Sequence, residues 1–143
     1  MTWLQNGRKP IAVTAVTRNF KPDVYPKVDD DATIILEYEH ATGVIQASWD
    51  WSYSLKDLQV YGTSSSYEAV DGNTLKYSPK HTKIAQIDLK TDYYQDHLTY
   101  LKAVLDGKIN TTDDLSSLEN NLIVVEILDA AKKSAKTGKK VML

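Results

Sequence analysis

At 143 residues the chain has the size of one ordinary domain, and its 42% hydrophobic and 25% charged residues mark it as globular rather than disordered. It contains no cysteine, which excludes a disulfide framework, a zinc–thiolate site and a thiol nucleophile together. Seventeen basic and nineteen acidic residues give a net charge of −2, with no basic block longer than two residues, so no nucleic-acid partner is expected.

Trp3-Leu4 followed by Asn6-Gly7 reads as the last turn of a helix ending at a glycine cap. One turn cannot nucleate alone in water, so either Met1 starts a frayed tail or a preceding helix belongs here. After Pro10 the pattern becomes β. Residues 11–17 alternate apolar and small side chains and are rich in β-branched types. A loop with Pro22, Pro26 and the acidic run Asp29-Asp30-Asp31 precedes a second strand at 32–39, with Ala32, Ile34, Leu36 and Tyr38 on one face. Gly43 sits in the next turn.

The third strand is expected at 44–53. Its odd positions, Ile45, Ala47, Trp49, Trp51 and Tyr53, form an apolar and aromatic face, and its even positions are mostly polar. Ile45, Ala47 and Trp49 read as core; Trp51 and Tyr53, at the distal end, read equally well as core or as a ligand or subunit contact. Strand-like runs follow at 58–61, 67–70, 74–77 and 84–89, with a turn at Asp71-Gly72-Asn73.

Then the period turns helical. Asp92 and Gln95 have capping-box spacing, and Tyr94, Leu98, Leu101 and Leu105 form one stripe before Gly107. Ser116 and Glu119 open a longer helix that closes at Gly138. Between Leu122 and Ala131 its apolar residues occupy more than one stripe, so it is expected to be covered on two sides. Val141-Met142-Leu143 is expected to return as a short strand. Strands first and helices after give an α+β fold: an open, mainly antiparallel β-sheet with helices packed on one face and a long C-terminal helix.

The catalytic inventory is nearly empty. His40, His81 and His97 have no partner at metal-ligand spacing, and His40 and His97 read as surface histidines. The acidic run lacks the alternating ligands and glycine of a calcium loop and is expected to face solvent. No G-x-G-x-x-G, phosphate loop or G-x-S-x-G occurs, so the chain supplies no dinucleotide site of its own. Asn110-Thr111-Thr112 reads as a helix-entry loop. The strongly apolar run 122–125 is too short to span a bilayer, and no signal peptide is visible, which gives a cytoplasmic, non-membrane expectation.

The C-terminal stretch is specific. Residues 115–131 followed by Ser134-Ala135-Lys136-Thr137-Gly138-Lys139-Lys140-Val141 resemble the closing helix of Gfo/Idh/MocA-family oxidoreductases. Trp3-Leu4 with Gly7, Val28 to Ala32, and Val60-Tyr61-Gly62-Thr63 resemble earlier parts of the same domain in the same order. Where the family continues that last strand with glycine and serine, this chain has Ser64-Ser65-Ser66.

The resemblance implies that residues 1–143 form the C-terminal, substrate-side and oligomerisation domain of an enzyme whose N-terminal Rossmann domain binds NAD or NADP. The family's catalytic lysine lies in a Glu-Lys-Pro motif and its histidine in an Asp-x-Gly-x-x-His-like motif. Neither motif is present, so no catalytic, cofactor-binding or metal-binding residue is carried over, and the chain alone is expected to be inactive. By position, the resemblance implies substrate contacts from Arg18, in the loop after the first strand, and from Trp51 and Tyr53. It further implies a sugar, cyclitol or related polyol as substrate and a homo-oligomer formed through the sheet face. A non-catalytic dimerisation module and half of an NAD-dependent glycosidase are the competing readings.

Overall fold

In the computed structural model, which describes residues 1–70, 74–78, 96–112, 114 and 116–143, and 83–86 through their backbone, the alternating segment after Pro10 is strand β1, Ala12–Arg18. It pairs antiparallel with β2, Asp31–Glu37, which pairs antiparallel with β3, Thr42–Ser48. Strands β4 (Leu58–Tyr61), β5 (Ser66–Ala69), β6 (Thr74–Ser78) and β7 (Lys83–Gln86) follow. Helices α1 (His97–Leu105) and α2 (Leu118–Thr137) come next, and β8 (Val141–Met142) returns to pair antiparallel with β1. The fold is α+β with open antiparallel sheets and a long C-terminal helix. The expected single sheet is instead two four-stranded ones, β3-β2-β1-β8 and β4-β5-β6-β7.

These sheets belong to two units, Met1–Asp50 with Val104–Leu143, and Trp51–Ala103. In the first, the period-2 pattern sorts cleanly. Val13 and Ala15 of β1 and Leu36 of β2 are buried with Ile127, Ala130 and Ala131 of α2, and Ile34, Tyr38, Ile45 and Val141 pack around them. Val13, Leu36 and Ile127 each contribute roughly 1.5–3 kcal/mol by full burial, and the alanines less. The opposite face of this sheet carries Val16, Ile35 and Val44, all exposed.

The closing motif explains how α2 is fixed. Ser134 is fully buried, and its Oγ accepts the Ala15 backbone N–H at 2.9 Å. Thr137 Oγ1 donates to the Lys133 carbonyl at 2.8 Å. Gly138, at φ 66°, takes the left-handed cap conformation that only glycine adopts cheaply and returns its N–H to the Ser134 carbonyl. Lys140 then pairs with Glu37, and β8 follows.

Several boundaries move. A side chain–backbone bond places the α2 cap at Ser117, whose Oγ accepts the Asn120 N–H at 3.2 Å, rather than at Ser116. For α1, the Asp96 carboxylate accepts the Leu98 and Thr99 amides; Asp92, Tyr94 and Gln95 lie outside the described residues, as do His81 and the turn 71–73. The stripe Leu98, Leu101 and Leu105 is exposed, and α1 buries the small Ala103 instead. At the N-terminus Trp3–Gln5 is a single 3-10 turn ending in positive φ at Asn6 and Gly7.

In the second unit, successive hairpin pairings put Val60, Tyr67 and Tyr77 in one cross-strand row and Gln59, Glu68 and Lys76 in the next. The Tyr67 and Tyr77 rings lie 4.8 Å apart, and Lys76 pairs with Glu68 at 3.4 Å. No helix among the described residues is long and apolar enough to cross a membrane.

Candidate functional site

The loop between β1 and β2 and the exit of β3 meet at one end of the first sheet. The residue that joins them is Asp30, only 3% exposed. Its N–H donates to the Arg18 carbonyl at 2.9 Å, and its own carbonyl accepts the Trp49 N–H at 2.8 Å. Its two carboxylate oxygens accept the N–H groups of Phe20 and Lys21, each at 2.8 Å. Burial pushes the Asp30 carboxyl up, but the amide bonds from Phe20 and Lys21, together with Asp50 and its own backbone amide, hold the group below the ordinary carboxylate value. The acidic run therefore does not simply face solvent: its middle member is the internal tie of the loop.

Asn19 supports the same loop, donating from Nδ2 to the carbonyls of Tyr25 at 2.6 Å and Val28 at 2.9 Å. Thr17 donates to Asp29 at 2.5 Å. Lys21 reaches across to the strand exit, 3.1 Å from the Trp49 carbonyl and 2.7 Å from Asp50 Oδ1. The bond to Asp50 raises the Lys21 pKa, against a smaller opposing effect of burial. Both Asp50 oxygens are shielded from water, and the ammonium supplies their counter-charge.

This geometry corrects the expected third strand. β3 stops at Ser48, whose Oγ accepts the Asp50 N–H at 3.1 Å, a local bond that competes with continued pairing. Trp49 is consequently not core. It is 61% exposed and packs against Tyr25, ring centroids 4.9 Å apart and planes inclined by 51°. Trp51 and Tyr53 lie in bends after the strand rather than on its face, both exposed, at the start of the second unit. Arg18 ends β1 in the first unit, exposed, its guanidinium donating to the Thr17 carbonyl at 2.9 Å.

Sequence reasoning missed Lys21, Tyr25, Asp30 and Asp50. The Pro22–Pro26 loop and the acidic run were visible, but nothing in their spacing says which carboxylate turns inward. Chemically, the loop offers a surface of cations and aromatic rings, and the carboxylates at its base are already held, Asp30 by backbone amides and Asp50 by Lys21. A separate cleft of about 420 Å³ in the same unit is lined by Trp3, Asn6, Gly7, Ser117, Asn120 and Ile123. His40 is exposed and lies 3.6 Å from Glu39. Asn110 Oδ1 accepts from the Thr112 N–H and hydroxyl, a local turn in the loop ahead of α2.

No curated protein matches the chain at a significant level. Among solved structures, a candidate oxidoreductase from Thermotoga maritima is similar over 96% of this chain and 42% of its own, with a TM-score of 0.77 and 14% identity. An aldose-aldose oxidoreductase from Caulobacter crescentus, complexed with glycerol, is similar over 96% of this chain and 42% of its own, at 0.70 and 19%. GenD2 from gentamicin A biosynthesis, in complex with NAD, is similar over 99% and 44%, at 0.59 and 19%. At these identities the likeness establishes the fold, and the chain spans less than half of each of these three proteins. The family described as the Gfo/Idh/MocA oxidoreductase family, C-terminal alpha/beta domain, matches residues 1–143. The chain belongs to that oxidoreductase family, as its C-terminal alpha/beta domain.

Proposed function

We propose that this domain forms the substrate-side wall and an assembly surface of an NAD- or NADP-dependent oxidoreductase acting on a sugar, cyclitol or related polyol. The observation that carries the reading is the end-to-end match to the family's C-terminal domain. The cofactor would be held by a Rossmann half, and this chain contributes no catalytic residue. Its part is to bind and orient substrate through Arg18, Trp51 and Tyr53, with the exposed Trp49–Tyr25 pair and Lys21 beside Arg18's strand end. Aromatic faces pack against the C–H surface of a polyol, and cationic tips donate to its hydroxyls. The NAD bound to one similar protein and the glycerol bound to another support the cofactor and ligand classes.

A second reading, an assembly module with no small-molecule role, is favoured by one observation: Val16, Ile35 and Val44 lie exposed on the sheet face away from α2. An open apolar sheet face is suited to pairing with a second copy, and twofold pairing is the commonest solution. Light scattering at micromolar concentration is expected to show a dimer, and Val44→Lys to return it to monomer.

Titration calorimetry tests the main reading. The 143-residue chain is expected to show no micromolar binding of NAD(H) or NADP(H); stoichiometric binding would overturn the division of labour. In the full polypeptide read from its gene, Arg18→Ala, Trp51→Ala and Tyr53→Ala are expected to lower kcat/KM for polyol substrates without unfolding the protein. Unchanged kcat/KM in all three removes the substrate-side assignment.

A further inference from the structure

Helix α2 is apolar on two sides, and only one of them is covered. Ile127, Ala130, Ala131 and Ser134 face the first sheet and are buried. Leu118, Leu122 and Val125, at positions i, i+4 and i+7, share the opposite side and are 69%, 56% and 54% exposed. The same stripe continues as Asp129, Lys132 and Lys136, all exposed and charged, with Asp129 and Lys132 paired at 3.7 Å. The apolar half of the stripe is therefore confined to the N-terminal half of the helix. The first residues of the chain run beside the same end of the helix, on its sheet-facing side: Trp3, Asn6 and Gly7 share a cleft with Ser117, Asn120 and Ile123.

We propose that the stripe Leu118–Leu122–Val125 is the docking surface for the cofactor-binding half of the enzyme, an inference that rests on the reading proposed above. Three observations favour that occupant. The family is by description a C-terminal domain, so a preceding domain joins at the chain's first residues, at the same end of α2 as the stripe. In the three solved proteins described above, more than half of the polypeptide lies outside the matched segment, which provides a body large enough to cover it. A second copy pairing stripe to stripe fits less well. The charged continuation of the stripe limits a stripe-to-stripe contact to half a helix, short of the roughly 800 Å² per partner that a free-standing interface buries.

The absence of cysteine makes this testable, because an introduced thiol is the chain's only one. Leu122→Cys and Val125→Cys report on the stripe, and Lys132→Cys, on its charged continuation, is the control. Alkylation by iodoacetamide is followed at each site by peptide mass spectrometry, in the 143-residue chain and in the full polypeptide expressed from its gene. The expected result is equal, rapid labelling of all three positions in the short chain. In the full polypeptide, labelling at 122 and 125 should slow at least tenfold while position 132 is unchanged. Rapid labelling at 122 and 125 in a full polypeptide that carries a cofactor-binding half overturns the docking surface and leaves the proposed function standing. A full polypeptide without such a half overturns both. Slow labelling in the short chain, with a disulfide linking two copies through position 122, identifies a second copy as the occupant and overturns the proposal.

Discussion

The two units are built on different principles. The first closes over long sequence distances: residue 134 bonds residue 15, and residues 141–142 pair with 12–13. It owns the buried core, with Val13 and Leu36 essentially inaccessible. The second is a run of neighbouring hairpins whose described strand residues are partly exposed, Leu58 and Tyr67 among them. In the first unit a helix laid across the sheet removes both from water at once, whereas among the described residues of the second unit's strands none is buried. The first unit should therefore unfold as one cooperative block and the second should open locally at lower cost.

Breaking the first unit's core gives the largest contrast. Leu36→Ala should cost about 2–5 kcal/mol, the range for emptying a packed aliphatic site, while Leu75→Ala in the second unit should cost about 1 kcal/mol. Urea denaturation of the two variants measures the difference, and equal losses would mean that the second sheet is as closely packed as the first. Ser134→Ala comes next. It leaves the Ala15 N–H buried without an acceptor, a loss of about 1–3 kcal/mol, and amide exchange at Ala15 should accelerate.

The Asp30 tie separates the units by pH. A carboxyl held below its unfolded value contributes stability that is fully present above the unfolded pKa and is lost as pH falls through the folded one. The loop of the first unit should thus loosen only below about pH 4. In Asp30→Asn the unfolding midpoint should be lower at pH 7, and part of the acid dependence should disappear; an unchanged acid profile would assign that dependence to other carboxylates. Smaller still, Ser117→Ala should cost about 1 kcal/mol by removing the α2 cap, with Ser116→Ala neutral by the same denaturation assay. Trp49→Ala should be the mildest, about 1 kcal/mol or less, because its ring is mostly in water. A loss of several kcal/mol would return Trp49 to the core.

Much of the architecture was legible because it rests on periodicity and on glycine. The alternation Ile34, Leu36, Tyr38 on the core side, the cap at Gly138, the short closing strand and the doubly apolar α2 all follow from which side chains recur at which interval. At the candidate site, sequence reasoning names Arg18, Trp51 and Tyr53 by position alone, and it names none of Lys21, Tyr25, Asp30 and Asp50. Trp49 continues the alternation of β3 in sequence, yet Ser48 and Asp50 satisfy each other locally and end the strand before it. Asp30 reads like its two acidic neighbours until the amides of Phe20 and Lys21 select it. Such choices are made by backbone groups brought close in three dimensions, and a pattern of residue types carries no record of them.

The Ser134 hydroxyl has a consequence beyond holding α2. β8 pairs with β1 at Ala12 and Val13, and among the described residues no strand pairs with that side of β1 from Ala15 onward, which leaves a sheet edge there. Bare edges recruit strands from other molecules and seed aggregation. By occupying the first edge amide from above, a helix side chain stands where a ninth strand would otherwise begin, and the sheet is kept from growing into a neighbour.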